Sequence, residues 1–242
     1  MKIDSFKLLA VYSAVLTIAV AAFLLSGAAG QLRARGSFDT IDVKRINVRE
    51  DDGTLRLIVS NTSRAPGIMI KGNERPHPSG NRGAGLIFYN NEGTETGGLI
   101  FGGKRGPDGK VSAGGHLSFD QHEQDQVIQL THSEQDGERW AGMIVTDRPD
   151  KSISLEGVAA VERFGKLPDG PEKAALAKEL ETQFSGQRRL YVGKTSDRAS
   201  TVKLSDAAGR ARIVLKVTAE GAATIEFLDE TGKAVKSLSP QS

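Results

Sequence analysis

The fold is decided by an alternation that is clearest in Ala211-Arg212-Ile213-Val214-Leu215-Lys216-Val217. Successive side chains of a β-strand point to opposite faces, so the apolar residues at odd positions share one face, and Arg212 and Lys216 lie on the other. A second run at 223–228 alternates in the same way, and a third short strand is expected at 234–238. This pattern predicts an antiparallel meander with one buried and one solvated face.

Related hairpin units recur upstream. The segment 86–93 aligns without gaps on 225–232, and 51–59 aligns on 207–215, each with an Asp or Asn turn followed by glycine. We therefore predict a mainly β fold of antiparallel hairpins, sandwich- or prism-like, with one or two short helices. A single layer cannot bury its apolar face alone, so we expect a second sheet, or the same sheet of another subunit, to cover it.

The amino-terminal region has no charged residue between positions 8 and 32. As a helix, these 25 residues would span about 37 Å, which exceeds the hydrocarbon core of about 30 Å. The pattern predicts a transmembrane helix, with a cleaved signal peptide and a buried core helix as alternatives. The expected anchor residues are Leu8, Val15, Ile18, Phe23 and Leu25.

The orientation of this segment is ambiguous. The basic residues that follow the segment, such as Arg33 and Arg35, outnumber those that precede it. This excess would keep the rest of the chain in the cytoplasm. The basic start, apolar centre and small-residue end instead resemble an export signal. We favour export, which places the protein in the bacterial inner membrane as a single-pass chain with its bulk in the periplasm.

The chain is divided on composition into five parts. Residues 1–7 form a short tail, 8–30 the anchor or signal peptide, and 31–150 a glycine-rich β region. A helical connector at 151–188 precedes the meander at 189–242. Within the connector, Asp169 is expected to cap a helix that has Pro171 in its first turn and an apolar stripe from Leu176 to Phe184.

Composition argues against several functions. The 32 basic and 30 acidic residues are interspersed, so nucleic acid is not an expected partner. The absence of cysteine excludes disulfides and thiolate chemistry. The segment 98–104 has the spacing of a phosphate-binding loop, but it is followed by Arg105 where the loop needs Ser or Thr. A second segment ends correctly in Gly193-Lys194-Thr195, but it has Arg188 where the loop needs glycine. No cofactor is expected.

One strand carries candidate chemistry. His116, Ser118 and Asp120 would share a face, and with His122 they suggest a metal site or a base–nucleophile set. The alternative is the polar face of a half-buried strand. The segment 122–126 begins like a zinc-protease motif but ends in Gln126 instead of histidine. We predict no catalytic residue, cofactor-binding residue or metal ligand, and keep His116, Asp120 and His122 as the metal candidates to test.

Two glycine-rich loops, 71–85 and 102–115, are candidate contact surfaces because long loops often carry function. The alternative is that they are solvated connectors. The lone Trp140 is expected in the core. The candidate contact residues are basic: Arg75, Arg82, Lys104, Arg105 and Lys110.

The segments 38–48, 52–61, 91–95 and 97–103 resemble those of a group of uncharacterised bacterial single-pass membrane proteins with repeated Asp-x-x-Gly hairpins. The resemblance implies an anchored β-rich chain and transfers no activity or site residue. The hairpins are also similar to those of fibrous bacterial and phage β-proteins, which are often trimeric.

These observations predict a non-enzymatic, membrane-anchored binding or structural module of the cell envelope. Its expected partners are the membrane, other proteins and copies of itself, with a homotrimer as one form. One alternative is an accessory subunit of a larger inner-membrane complex. Another is an envelope hydrolase or metal-dependent enzyme that uses His116, Asp120 and His122.

Overall fold

The computed structural model describes residues 5–25, 36–77, 80 and 82–240. The chain forms two units, Met1–Asp42 and Val43–Ser242. The described residues contain three helices and fourteen strands, almost all of the strands in one antiparallel sheet. The predicted mainly antiparallel β class is confirmed.

The first unit contains helix α1 (Ser5–Leu25). Over Ser5–Phe23 it is long and apolar enough to cross a membrane, and signal sequences share these properties. The predicted apolar helix is therefore confirmed. The anchor residues Leu8, Val15, Ile18 and Phe23 are exposed along α1. The Leu25 side chain and residues 26–30 of the predicted anchor lie outside the described residues.

The second unit is built on a twelve-stranded meander in which each strand pairs with the next one in space. A separate two-stranded hairpin, β3–β4, lies between β2 and β5 in the chain. Apart from this hairpin, the described strands form one long sheet rather than two large packed sheets. The strands are β1 (Arg45–Arg49), β2 (Leu55–Ser60), β3 (Ile68–Ile70), β4 (Asn73–Arg75), β5 (Ala84–Tyr89), β6 (Glu95–Arg105), β7 (Val111–Asp120), β8 (Gln126–Gln135), β9 (Glu138–Asp147), β10 (Gln187–Lys194), β11 (Ser200–Ser205), β12 (Ala211–Val217), β13 (Ala223–Leu228) and β14 (Ala234–Leu238).

The hairpin turns are fixed by an acidic or amide side chain followed by glycine. At the β13–β14 turn, Asp229 Oδ1 accepts hydrogen bonds from the backbone N–H groups of Thr231 and Lys233. Gly232 has a φ of 82°, which a glycine adopts without steric cost. The Thr231 hydroxyl and these amides lower the pKa of the Asp229 carboxyl. The turns at Asn90 and Asp206 repeat the arrangement.

The small hydrophobic core lies on one face of the amino-terminal half of the sheet. Ile58 and Ile87 are direct cross-strand partners and are almost fully buried. Met69 of β3 packs against them, together with Leu55 and Tyr89. The β3–β4 hairpin therefore acts as the lid of this core.

Two helices, α2 (Leu155–Lys166) and α3 (Pro171–Phe184), connect β9 to β10. The predicted Asp169 cap is wrong: Gly170 occupies the cap position, and Asp169 instead accepts a hydrogen bond from Lys173 Nζ at 2.9 Å. The chain is extended at Gly170, which moves the cap one residue onward. Pro171 does occupy the first turn, and Leu176 is buried as the apolar stripe predicts.

Two polar side chains attach the helices to the sheet. Gln124 Nε2 donates to the backbone carbonyls of Lys151 and Gln183, both at 2.8 Å. Arg148 donates to the carbonyls of Gln126 and Phe184. Backbone carbonyls near the helix termini are thereby paired with side chains of the sheet.

Candidate functional site

The two faces of the large sheet differ in what covers them. We call one face of the large sheet the covered face; it carries Ile58, Ile87, Ser118 and Ile144. The best-buried residues of the sheet, the small hydrophobic core and the helix attachments all lie on this face. We call the opposite side the open face. All the exposed large apolar side chains of the sheet except Val235 lie on the open face.

Two rows of side chains run across the open face from the first strand to the last. In the first row, every residue is the direct cross-strand partner of the next and every residue is apolar. The first row is Ile46, Val59, Leu86, Leu99, Leu117, Leu130, Met143, Val192, Val202, Leu215, Ile225 and Leu238.

The second row lies two residues away on each strand and is interrupted at two points only. Gly97 supplies no side chain, and Lys236 ends the row with a charge. The second row is Val48, Leu57, Phe88, Gly97, Phe119, Ile128, Val145, Leu190, Leu204, Ile213, Phe227 and Lys236.

Strand β7, which carries the predicted polar site, buries polar side chains and exposes apolar ones. An ordinary amphipathic strand would do the opposite. Ser118 is 2% exposed on the covered face, whereas Phe119 is 52% exposed on the open face. His116 shares the covered face with Ser118, as predicted. The polar side chains of β7 therefore face the interior, where the helices and the β3–β4 hairpin cover the sheet.

A cavity of about 310 Å³ lies on the covered side of the sheet. Apolar side chains from β3 and the two helices form part of its wall, and polar side chains, several of them ionisable, form the rest. The apolar part includes Ile68, Met69, Val158, Val161 and Phe184, and the polar part includes Arg82, Glu95, Asp120, Gln124 and Asp125.

A buried ion pair lies in this wall. Arg82 Nη2 donates to Glu95 Oε2 at 2.8 Å, and the two side chains are 11% and 18% exposed. Burial raises the pKa of the Glu95 carboxyl, and Arg82 offsets only part of this effect. Burial, reinforced by the negative charges of Glu95 and Asp125, raises the pKa of Asp120 to about 7. Asp120 therefore changes charge near neutral pH.

Three buried polar atoms have no hydrogen-bond partner among the described residues: Arg82 Nη1, Asp120 Oδ1 and the Tyr89 hydroxyl. Burial also raises the pKa of the Tyr89 hydroxyl. Two of the three atoms belong to residues that line the cavity, and one of these is a donor and the other an acceptor.

Among the described residues, the candidates His116, Asp120 and His122 do not form a common potential metal-ligand group. His116 is half-buried, and burial lowers its pKa. His122 lies in the exposed turn after β7, with Nε2 3.7 Å from Glu92 Oε2. Among the described residues, His122 shares a potential metal-ligand geometry with Glu92 and Glu123. Glu123 is already paired with Lys71 at 2.7 Å.

The basic contact candidates divide into two groups. Arg75, Lys104, Arg105 and Lys110 are exposed, and the last three surround the tip of the β6–β7 hairpin. Arg82 is instead largely buried and paired with Glu95, unlike the other four candidates. The predicted loop 102–115 consists mostly of paired strands, because β6 continues to Arg105 and β7 begins at Val111. Trp140 is only partly buried, beside an open groove on the covered face, and not in the core.

Neither a protein-family model, nor a curated protein, nor a solved structure was found to match this chain.

Proposed function

We propose that the protein is a non-enzymatic, single-pass membrane protein whose β unit is a binding and structural module of the bacterial cell envelope. Its anchor is α1, and its bulk lies on the periplasmic side of the inner membrane. The module acts by packing the open face against protein, including copies of itself, with a homotrimer as one form.

The observation that carries this proposal is the apolar stripe formed by the first and second rows. Twelve strands about 4.8 Å apart extend the stripe over about 53 Å, and its two rows are about 7 Å apart. With one side-chain width on each side, the stripe covers on the order of 600 Å². This is the upper end of patches on monomeric proteins and approaches the ~800 Å² that each partner buries in a stable interface.

The location of charge supports a structural role. The carboxyl groups of Glu95 and Asp120, whose pKa values are raised, lie in the covered cavity among bonds that hold the hairpin and helices to the sheet. Structural ion-pair networks perturb pKa values as active sites do. The largest surface left for recognition is the open face, and apolar packing is the interaction that it offers.

The test uses the full chain with a carboxyl-terminal tag, expressed in a bacterial host. The proposal expects the tagged chain to remain in membranes after alkaline extraction and to have a particle mass above that of one chain in mild detergent. Leu130→Glu on the open face should reduce this mass, whereas Lys203→Glu on the opposite face should not. A chain recovered in the soluble fraction, or a single-chain mass for the unmodified protein, would overturn the proposal.

A further inference from the structure

We propose that the open faces of identical copies pack together in parallel and in register, so that each row residue lies at the same height as its counterpart in the neighbouring copy. This inference rests on the proposed function and specifies the partner of the open face. The number of copies around the common axis follows from the particle mass.

The chemistry of the rows selects the partner. Of their twenty-four positions, only Lys236 at the end of the second row is charged. A partner must therefore present an apolar surface of about the same length, about 53 Å, without charges that would be left unpaired. A second copy of the chain offers such a surface, because the same two rows run from β1 to β14 in every copy.

The margin of the stripe beside the first row is mixed. Its residues pair across the strands in the order Phe101, Gly115, His132, Ala141, Lys194, Ser200 and Val217. Phe101 and Val217 are exposed and apolar and widen the apolar surface at two points, whereas His132, Lys194 and Ser200 are polar. The polar residues fit the rim of a protein interface, and the rows fit its apolar centre.

The parallel direction is the one produced by a rotation about an axis along the rows. Each strand of the large sheet moves the chain one step in the same direction along the rows. A rotation about an axis along the rows leaves that direction unchanged and brings equal heights together in a closed assembly.

Register also matches the aromatic part of the stripe to itself. The second row has Phe88, Gly97 and Phe119 in succession near one end. Parallel packing places these residues of all copies at the same height. Antiparallel packing would instead place them opposite Leu190, Leu204 and Ile213.

The test exploits the absence of cysteine from the chain, which gives each introduced cysteine a unique thiol. The full-length variants Ile46→Cys and Leu238→Cys mark the two ends of the first row, and Leu130→Cys marks its middle. Lys203→Cys on the opposite face is the matched control. Each variant is treated in membranes with a bismaleimide whose spacer matches the ~10 Å between packed sheets.

Parallel register predicts self-cross-linking at all three row positions. The yield should exceed that of Lys203→Cys by on the order of tenfold or more, because thiols held within linker reach have millimolar effective concentrations. A mixture of Ile46→Cys and Leu238→Cys chains should give no product that joins the two variants.

Three results would overturn the inference. Self-cross-linking at Leu130→Cys alone, with joining of Ile46→Cys to Leu238→Cys, would indicate antiparallel copies. A membrane-bound chain that reacts at none of the positions, and whose open face holds a different protein, would reject self-packing but leave the proposed function standing. An open face that holds lipid, or a soluble, single-chain particle, would reject both.

Discussion

The rings of Phe88 and Phe119 stack on the open face, with their centroids 6.5 Å apart and their planes 21° from parallel. Gly97 lies on the strand between them and is the direct cross-strand partner of both. Because Gly97 has no side chain, the rings meet across β6 and close the gap in the second row. Aromatic cover of a sheet glycine keeps the apolar surface continuous.

Gly97 should not tolerate a side chain. Its φ is 127°, and a Cβ atom built on it would lie 2.3 Å from the carbonyl oxygen of Ser118. Gly97→Ala is therefore expected to lower the free energy of unfolding by about 1–3 kcal/mol or more, measured by chemical denaturation. The matched control is Gly102→Ala on the same strand, where a Cβ atom meets nothing within 4 Å. Equal midpoints for the two variants would contradict this explanation.

A charge in the first row should separate the packed faces without unfolding a copy. Leu130 is 51% exposed in the isolated chain, so glutamate there stays hydrated in a monomer. In a packed face the carboxylate would be desolvated, at a cost of several kcal/mol, so Leu130→Glu should weaken association by about 100-fold or more.

This prediction is measured as the detergent-corrected mass of the full chain against protein concentration. Lys203→Glu, an exposed change on the opposite face, is the control for altered net charge. An unchanged mass for Leu130→Glu alongside a normal circular dichroism spectrum would show that the first row is not the contact.

The large sheet was predictable from sequence because alternation and Asx–Gly turns are local signals. The residues of Ala211–Val217 divide between faces as predicted, and the Asp229 turn joins the expected strands. The apolar face of this strand, predicted to be buried, is the open face, where Leu215 and Val217 are exposed. Which face is covered was not predictable at β7, because its cover comes from elements more than thirty residues away in sequence. Ser118 is consequently buried and Phe119 exposed, the reverse of their polarity.

The candidate cavity was only partly predictable. Of its lining residues, Asp120 was identified from its spacing on one strand, but Glu95 and the inward direction of Arg82 were missed. Arg82 precedes β5 and Glu95 begins β6, so the register of this antiparallel hairpin places them at opposite ends. Their contact therefore depends on the path of the chain before β5, and no local pattern in the sequence signals it.

Asp120 should make stability depend on pH. Its carboxyl has a pKa of about 7 in the folded chain, against an ordinary value of 3.8. The protonated form is favoured by folding, so this contribution is fully present below about pH 4 and is lost as pH rises through about 7. The unfolding free energy should fall across this window by up to about 4 kcal/mol from this group.

Asp120→Asn removes the charge while keeping the shape. The variant should be more stable than the unmodified chain at pH 8 and nearly as stable as it at pH 4. Its unfolding free energy should therefore change less with pH between these two values. Asp150→Asn, at an exposed position, controls for the change in net charge. Parallel stability curves for the unmodified chain and Asp120→Asn, measured by denaturant titration at each pH, would contradict the assigned pKa shift.

Removing either charge of the Arg82–Glu95 pair should destabilise the fold. Both side chains are largely buried, so Arg82→Met leaves the Glu95 carboxylate, and Glu95→Gln leaves the Arg82 guanidinium, without its charged partner. Each single change is expected to destabilise the fold by about 3–5 kcal/mol, whereas the double variant should lose less than the sum of the two. The same double-variant cycle on the exposed Arg139–Glu134 pair should show little coupling.

The Arg82–Glu95 pair lies in the wall of the cavity that Met69 and Val158 also line. The Arg82→Met and Glu95→Gln variants should therefore also speed amide hydrogen exchange in the β3–β4 hairpin and α2. Additive effects in the buried cycle, with unchanged exchange in these elements, would show that the contact does not hold the cover on the sheet.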